Sequence, residues 1–215
     1  MMYLDKSAIN SLSRIHRINL INSLSGVKPA LLVGTRNKKN SNLAIFSSFV
    51  HISSNPSLFG CFVRSNKNIR RHTLENIIKS KHYTVNHIPS NKIPNAHFTS
   101  AKLEDNKSEF KVCGLNEEYL SNFSAPFVKE SKIKFGLNLK EMIEIKSTSS
   151  ILIVGEVEHI FLNHEYLDNN FKLLVEKSGS ISVCGLNDYY SNKKVLSLPY
   201  VSTKDFDELL NLYVK

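Results

Sequence analysis

Short apolar runs, rich in β-branched and aromatic residues and separated by turn-forming residues, constrain the fold of this chain most strongly. Runs of this length bounded by Gly, Asn, Ser and Pro are typical of strands in antiparallel β domains. One run also alternates polar with apolar residues, as a half-exposed strand does. The predicted strands cover residues 30–33, 43–52, 58–63, 83–88, 133–145 and 151–161.

Three other segments show the residue spacing of amphipathic helices. Residues 73–81 place three apolar side chains on one side, and Thr73 has the character of an N-cap. Residues 14–24 carry isoleucine or leucine at every third position, which suits a short amphipathic helix or an extended entry arm. Residues 203–214 form an apolar face at the end of the chain. We therefore predict a mainly β fold with accessory helices.

The length and composition describe one folded unit. A chain of 215 residues, 41% apolar and 22% charged, can bury one core and lacks the signature of disorder. Cys61, Cys113 and Cys184 are too few and too far apart for a disulfide framework or a zinc site. The amino terminus lacks a secretory signal, and no apolar run is long enough to cross a bilayer. We expect one domain over residues 1–215, no metal, no membrane association and a cytoplasmic location.

The formal net charge of +9 suits either a nucleic-acid partner or an anionic small ligand. The lysines are scattered along the chain, and no helix-turn-helix pattern or basic stripe interleaved with aromatic residues is present. We therefore expect a solvated basic surface and no nucleic-acid partner. A basic interaction protein stays open as an alternative.

Two serines on a predicted strand have the chemistry to meet a flat heterocycle. Ser47 and Ser48, with the main chain around them, offer small donors and acceptors that a ring system could contact along its edge. The same serines are also compatible with an ordinary polar edge strand. The residues alone leave both interpretations open.

A group of cationic and hydroxyl side chains lies just before the predicted helix at 73–81. Arg64, Arg71, His72 and Thr73 supply donors where exposed backbone N–H groups and the positive end of a helix dipole attract a phosphate. An ordinary capped helix with solvated cations is the alternative. Together with the serines, the group indicates a phosphorylated aromatic ligand.

Other catalytic patterns are missing from the sequence. No Gly-x-Ser-x-Gly elbow supports a serine hydrolase, and no Gly-x-Gly-x-x-Gly run supports a Rossmann nucleotide domain. A lone histidine beside a strand is more often a structural residue than an acid or a metal ligand. We therefore assign no catalytic side chain.

Five segments of the sequence follow one another in a characteristic order: residues 41–49 (Ser-Asn-Leu-Ala-Ile-Phe-Ser-Ser-Phe), the Asn55-Pro56 turn, Arg64, residues 71–77 (Arg-His-Thr-Leu-Glu-Asn-Ile) and residues 83–88. In this order they resemble the flavin reductase-like, split-barrel FMN-binding family. The similarity covers residues 15–165 and leaves residues 166–215 as a carboxyl-terminal extension. Many members carry Asp-Thr where this chain has His72-Thr73.

The resemblance implies a six-stranded antiparallel split barrel that forms a homodimer with FMN near the subunit interface. It also implies which residues contact the cofactor. Asn42, Ala44, Ser47, Ser48 and Phe49 would line the isoalloxazine ring and ribityl chain, and Arg64, Arg71, His72 and Thr73 would hold the phosphate.

The function implied by the resemblance is that of an NAD(P)H-dependent flavin reductase. NADH or NADPH would donate electrons, which bound FMN would pass to free flavin or another acceptor. An FMN-binding electron carrier or sensor without reductase turnover is the alternative.

Overall fold

The computed structural model describes residues 1–65, 70–104 and 106–214. Within these ranges the chain forms twelve strands, seven α-helices and two short 3-10 turns. The strands are β1 (Lys28–Pro29), β2 (Leu31–Arg36), β3 (Ser41–Phe46), β4 (Val50–Ser54), β5 (Ser57–Arg64), β6 (His82–His87), β7 (Glu117–Glu118), β8 (Phe127–Val128), β9 (Ile133–Ile145), β10 (Ser150–Leu162), β11 (Ile181–Cys184) and β12 (Asp188–Ser191). The helices are α1 (Lys6–Ser11), α2 (Arg14–Ser23), α3 (His72–Ser80), α4 (Ile93–Phe98), α5 (Glu109–Val112), α6 (Val175–Ser178) and α7 (Phe206–Tyr213), and the 3-10 turns are Ser90–Lys92 and His164–Tyr166. None of the helices in the described ranges has the length and apolar character that a membrane crossing requires.

Seven of the strands in the described ranges form one antiparallel sheet in the order β3-β2-β6-β9-β10-β5-β4. The prediction of six strands was wrong. The predicted run over residues 43–52 is two strands, β3 and β4, because the chain leaves the sheet at Ser47 and enters it again at Val50. The predicted turn at Asn55-Pro56 is confirmed, since these two residues join the paired strands β4 and β5.

The two halves of that run lie at opposite edges of the sheet. β3 ends at Phe46 and β4 begins at Val50, so only the residues 47–49 connect the two edges. Four extended Cα–Cα steps span at most roughly 14 Å. The sheet must therefore curve until its edges meet near this connection, which gives a barrel.

The inside of the barrel holds the larger apolar cluster, and α3 packs into it. Period-2 alternation sends Leu31 and Val33 of β2 inward, where they join Leu74 and Ile77 of α3. Tyr83 lies in the same cluster and is fully buried. The apolar face predicted for the helix at 73–81 is confirmed for Leu74 and Ile77, which contact the barrel interior. The third side chain predicted to face inward, Ile78, is 39% exposed, so that part of the prediction was wrong.

A second apolar cluster covers the outside of β2 and β3. Leu32 of β2 and Ala30, which directly precedes this strand, pack there with residues of α4 and α5. Ile181 and Val183 of β11 belong to the same cluster, and β11 pairs with β1. The carboxyl-terminal extension therefore contributes buried side chains to the layer over the barrel.

All three predicted helices are present, but two of them begin at other residues than predicted. The helix predicted over residues 203–214 is α7 (Phe206–Tyr213), which begins three residues later. Helix α2 confirms the prediction at residues 14–24, with Ser13 accepting a hydrogen bond at its amino terminus. Helix α3 begins one residue earlier than predicted, and its N-cap is Arg71. The prediction of Thr73 as N-cap was wrong because Thr73 is buried inside the first turn.

Stability should fall in mild acid because of His87, at the end of β6. Burial lowers the pKa of His87 from 6.5 to about 4, so the folded protein keeps the ring neutral. The unfolded chain takes up this proton from about pH 6.5 downward, and stability is lost between that pH and about 4. The loss at His87 should reach roughly 3 kcal/mol.

The variant His87→Asn should flatten this part of the pH profile, measured as the free energy of urea unfolding at several pH values. Asparagine keeps a polar group near Ser180, whose hydroxyl lies 3.0 Å from Nδ1 of His87. The exposed His16 provides a control as His16→Asn. Parallel pH profiles for the wild type and His87→Asn would contradict the prediction.

Candidate functional site

The amino terminus of α3 lies beside the polar end of β3. Arg71 occupies the N-cap position with φ −122° and ψ 100°, and His72 and Thr73 begin the helix. An arginine side chain has no acceptor with which to cap a helix, and the first N–H groups of a helix lack intrahelical partners. This end of α3 therefore suits an anion.

Two buried amide–hydroxyl hydrogen bonds fasten α3 to the barrel wall. Nδ2 of Asn42 on β3 donates to Oγ1 of Thr73 over 3.0 Å, and Nδ2 of Asn76 donates to Oγ1 of Thr35 on β2 over 3.1 Å. Thr35 and Asn42 are cross-strand partners. Thr73 and Asn76 are three residues apart on one side of α3, so the two bonds fix the position of the helix along the strands.

The predicted ring-contact residues lie at and before the connection that closes the barrel. Ala44 lies in β3 opposite Val33. Ser47 and Ser48 are partly buried, and the Ser48 hydroxyl both donates to the carbonyl oxygen and accepts from the N–H of Phe62, each over 3.1 Å. Phe49 is buried in the inner cluster.

Arg64 ends β5, two residues after the Phe62 to which Ser48 bonds. Cys61 and Val63 face the inner cluster, so Phe62 and Arg64 face outward on the same strand. The segment between Arg64 and Arg71 includes residues 66–69, which lie outside the described part of the chain. The structure thus places Ser48 and Arg64 on neighbouring positions of the barrel.

A cavity of about 1160 Å³ opens beside α3 and includes two of the predicted residues, Asn42 and His72. Sequence reasoning missed most of the other lining residues, which come from the β2–β3 turn, one side of α3 and two distant loops. The polar turn between β2 and β3, which carries Lys38 and Lys39, was the feature of the sequence that could have indicated this part of the lining. The lining residues are Arg36, Asn37, Lys38, Lys39, Asn40, Ser41, Asn42, Arg70, His72, Glu75, Asn76, Lys79, Ser80, Asn106, Lys107, Tyr119, Asn122, Phe123 and Ser124.

The charge of this lining is strongly positive. Among the lining residues that the structure describes, six are lysine or arginine and one is a carboxylate, which gives them a formal charge of +5 with histidine neutral. The carboxylate, Glu75, forms a two-point ion pair with Arg70, in which Nε–Oε1 and Nη2–Oε2 are both 2.9 Å. The hydrogen bond from Arg70 lowers the pKa of Glu75. The field in the cavity therefore attracts anions.

The family model described as "Flavin reductase like domain" matches residues 26–180. The chain belongs to the flavin reductase-like family. A solved structure of a putative flavin reductase with a split barrel domain from Shewanella frigidimarina is 37% identical, with a TM-score of 0.89, and the match covers 94% of this chain and all of that one. The sequence resemblance to this family and the split-barrel fold are both confirmed.

Two more distant structures share the fold of this flavin reductase-like chain. Nitrilotriacetate monooxygenase component B from Bacillus cereus is 21% identical with a TM-score of 0.80, and the match covers 92% of this chain and 98% of that one. An FMN-binding protein from Thermus thermophilus is 15% identical with a TM-score of 0.68, and the match covers 82% of this chain and 93% of that one. The family assignment supports a flavin-related oxidoreductase.

The outer edge of β3 in this flavin reductase-like chain is held by a buried carboxylate. Glu109 of α5 is 4% exposed, and its Oε2 accepts the N–H of Leu43 over 3.1 Å. Burial raises the pKa of Glu109. Nearby, the Ser41 hydroxyl bonds to Glu117. The Glu109 contact satisfies one main-chain N–H of this edge strand, and the two contacts flank Asn42 on β3.

Substitution of Thr73 by valine should loosen the docking of α3. Thr73→Val leaves the buried Nδ2 of Asn42 without this acceptor, which costs about 1–3 kcal/mol of stability. In a double-mutant cycle, Asn42→Ala combined with Thr73→Val should cost less than the sum of the single changes. The free energy of unfolding in urea is measured for the two single variants and for the double variant.

The exposed Thr203 offers a matched control, since Thr203→Val removes a hydroxyl that lies outside this contact. It should leave stability unchanged within about 0.5 kcal/mol. Additive costs of the Asn42 and Thr73 changes would refute the proposed coupling between them.

Proposed function

We propose that this chain binds FMN non-covalently and works as an NAD(P)H-dependent flavin oxidoreductase. One observation carries the proposal. The anion-attracting start of α3 and the cation-lined cavity share His72, and Asn42 connects both to β3. The family assignment supports the same function, and one structure with this fold is that of an FMN-binding protein.

The start of α3 has the donor set that a terminal phosphate requires. Backbone N–H groups of the first turn and the helix dipole favour a dianion, and an arginine can contact two phosphate oxygens at once. Arg71 and His72 lie at this point, and Arg64 ends the strand that leads to it. We assign these residues to the phosphate, with Thr73 contributing its backbone N–H while its hydroxyl accepts from Asn42.

The connection at 47–49 is our proposed place for the edge of the ring. The Ser48 hydroxyl is bonded to the main chain of Phe62, so the backbone of Ser47 and Ser48 is the better source of ring contacts. Phe49 anchors the connection in the inner cluster. Asn42 and Ala44 would line the path from the ring to the phosphate.

A bound flavin supplies the redox chemistry by accepting hydride from a nicotinamide and passing on electrons. The residues of this chain bind the phosphate, orient the ring and limit the access of water. None of these three tasks requires a side-chain acid or base. We therefore assign no catalytic residue.

The purified protein should be yellow, and its flavin absorbance should bleach on anaerobic addition of NADH or NADPH. Arg71→Ala should weaken FMN binding by about 10-fold to 100-fold because it removes a charge-assisted phosphate contact. Titration of apoprotein with FMN, followed by flavin fluorescence, measures the effect. Arg14→Ala, at an exposed position of α2, is the matched control.

Three results would count against the proposal in different ways. Unchanged FMN affinity in Arg71→Ala would refute the phosphate assignment. Bound FMN that no nicotinamide reduces would indicate the electron carrier or sensor. A colourless protein that FMN does not bind would refute flavin binding altogether.

We also propose a homodimer, because the barrel exposes an apolar row on its outer face. Phe62 of β5, Leu152 of β10 and Ile143 of β9 are consecutive cross-strand partners. Their neighbours Val63 and Ile151 face the inner cluster, so this row faces outward. Phe62 and Ile143 are 44% and 45% exposed. Contiguous apolar patches of this kind mark association sites.

The apolar row adjoins the proposed flavin site. Ile52 of β4 extends the row, since its Cδ1 lies 2.9 Å from the position a Cβ would take on Gly60. Arg64 faces outward two residues from Phe62 on the same strand. A second copy packed on this row would therefore lie beside Arg64 and Ser48, which supports a flavin near the interface.

A charge in the middle of the row should separate the subunits. Phe62→Asp should weaken dimerisation by at least about tenfold, since it buries a carboxylate against apolar side chains. Sedimentation velocity over a concentration series measures the dimer, and circular dichroism checks the fold. Val112→Asp, at an exposed apolar residue of α5, is the control. A wild-type monomer, or a Phe62→Asp dimer of unchanged affinity, would contradict the proposal.

A further inference from the structure

The cavity beside α3 extends well beyond the proposed phosphate contact at His72. Residues His72, Asn76, Lys79 and Ser80 lie on one side of α3 and form a wall about two turns long. The volume of about 1160 Å³ exceeds the range of about 300–1000 Å³ that is usual for a single small-molecule pocket. The cavity therefore has room for a second ligand.

The charge of the lining also exceeds what one FMN phosphate needs. A phosphate monoester carries about two negative charges near neutral pH. The lining has a formal charge of +5, and three of its lysines, Lys38, Lys39 and Lys79, lie away from the first turn of α3. These cations are exposed and face one cavity, so their combined field attracts a further anion. The second ligand should therefore itself carry phosphate.

The turn that carries two of these lysines has a fixed conformation. Oδ1 of Asn37 accepts the N–H groups of Lys39 and Asn40, each over 2.8 Å. The Asn37 N–H in turn donates to the carbonyl oxygen of Asn40 over 3.0 Å. Such a side-chain-to-backbone turn fixes the main chain of Lys38 and Lys39 beside the cavity, so that binding has to order only their side chains.

Tyr119 adds an aromatic side chain to the lining of the cavity. The Arg36 guanidinium lies 5.3 Å from the ring centroid of Tyr119, whose hydroxyl donates to Glu117 over 3.1 Å. Planar arginine and tyrosine groups are common stacking partners of nucleobases. Asn122 and Asn106 add amide donors and acceptors for a base edge.

We propose that this part of the cavity binds the adenosine end of the nicotinamide donor and selects NADPH over NADH. The inference rests on the proposed flavin oxidoreductase function and names its donor. Lys38 and Lys39 would contact the 2′-phosphate, which distinguishes the two donors, and Arg36 with Tyr119 would hold the adenine. A single added phosphate is what a pair of rim lysines can discriminate.

The test uses redox-inert probes on the protein as purified, so that binding is measured apart from turnover. By isothermal titration, 2′,5′-ADP should bind about tenfold more tightly than 5′-AMP, which lacks the 2′-phosphate. The double variant Lys38→Ala/Lys39→Ala should lose about tenfold in affinity for 2′,5′-ADP and little for 5′-AMP. The variant Lys146→Ala/Lys177→Ala removes the same charge at exposed positions outside the cavity and should bind both probes normally.

Equal affinity for the two probes, or an affinity for 2′,5′-ADP that the lysine changes do not alter, would overturn the inference. Binding of added FMN to flavin-loaded protein in place of 2′,5′-ADP would overturn it too, by making a second flavin the occupant. The flavin spectrum of each sample is recorded in parallel. Purified protein without flavin would contradict the proposed function. Flavin-loaded protein that does not bind 2′,5′-ADP would contradict only the proposed donor site.

Discussion

The three residues that join β3 to β4 impose the constraint on which the rest of the molecule depends. They connect opposite edges of the main sheet, so the sheet has to close. The Ser48 hydroxyl pairs with both main-chain groups of Phe62, and the Phe49 ring enters the core. Closure, core packing and the proposed ring contacts thus share one short segment, and a change there would affect stability and binding together.

The position of α3 follows from that closure. Its apolar side fills the barrel interior, while Thr73 and Asn76 bond to the wall formed by β2 and β3. Hydrogen bonds between buried polar groups specify a position more narrowly than apolar contact does, because a shifted helix would leave the amides unsatisfied. The amino terminus of α3 is thereby held where its N–H groups and Arg71 can meet an anion.

The positive charge that looked scattered in the sequence is concentrated by the fold. The β2–β3 turn, α3 and the loops near residues 106 and 119 each contribute side chains to one cavity. Charges that are separate along the chain reinforce one another when they face the same space. The outer apolar row arises in the same way, since Phe62, Ile143 and Leu152 come from three strands.

The sequence by itself determined the strands of the main sheet from short apolar runs bounded by turn residues, although it merged β3 with β4. It also determined the α3 segment from its apolar spacing and the family from the order of its motifs. These features depend on neighbours along the chain, and the strand β9 was predicted at its observed bounds. Only the tertiary structure decided that residues 43–52 form two strands at opposite edges. It also decided that Thr73 accepts from Asn42 rather than capping α3. The physical reason is that contacts between distant residues depend on how the sheet pairs and closes, which local spacing does not encode.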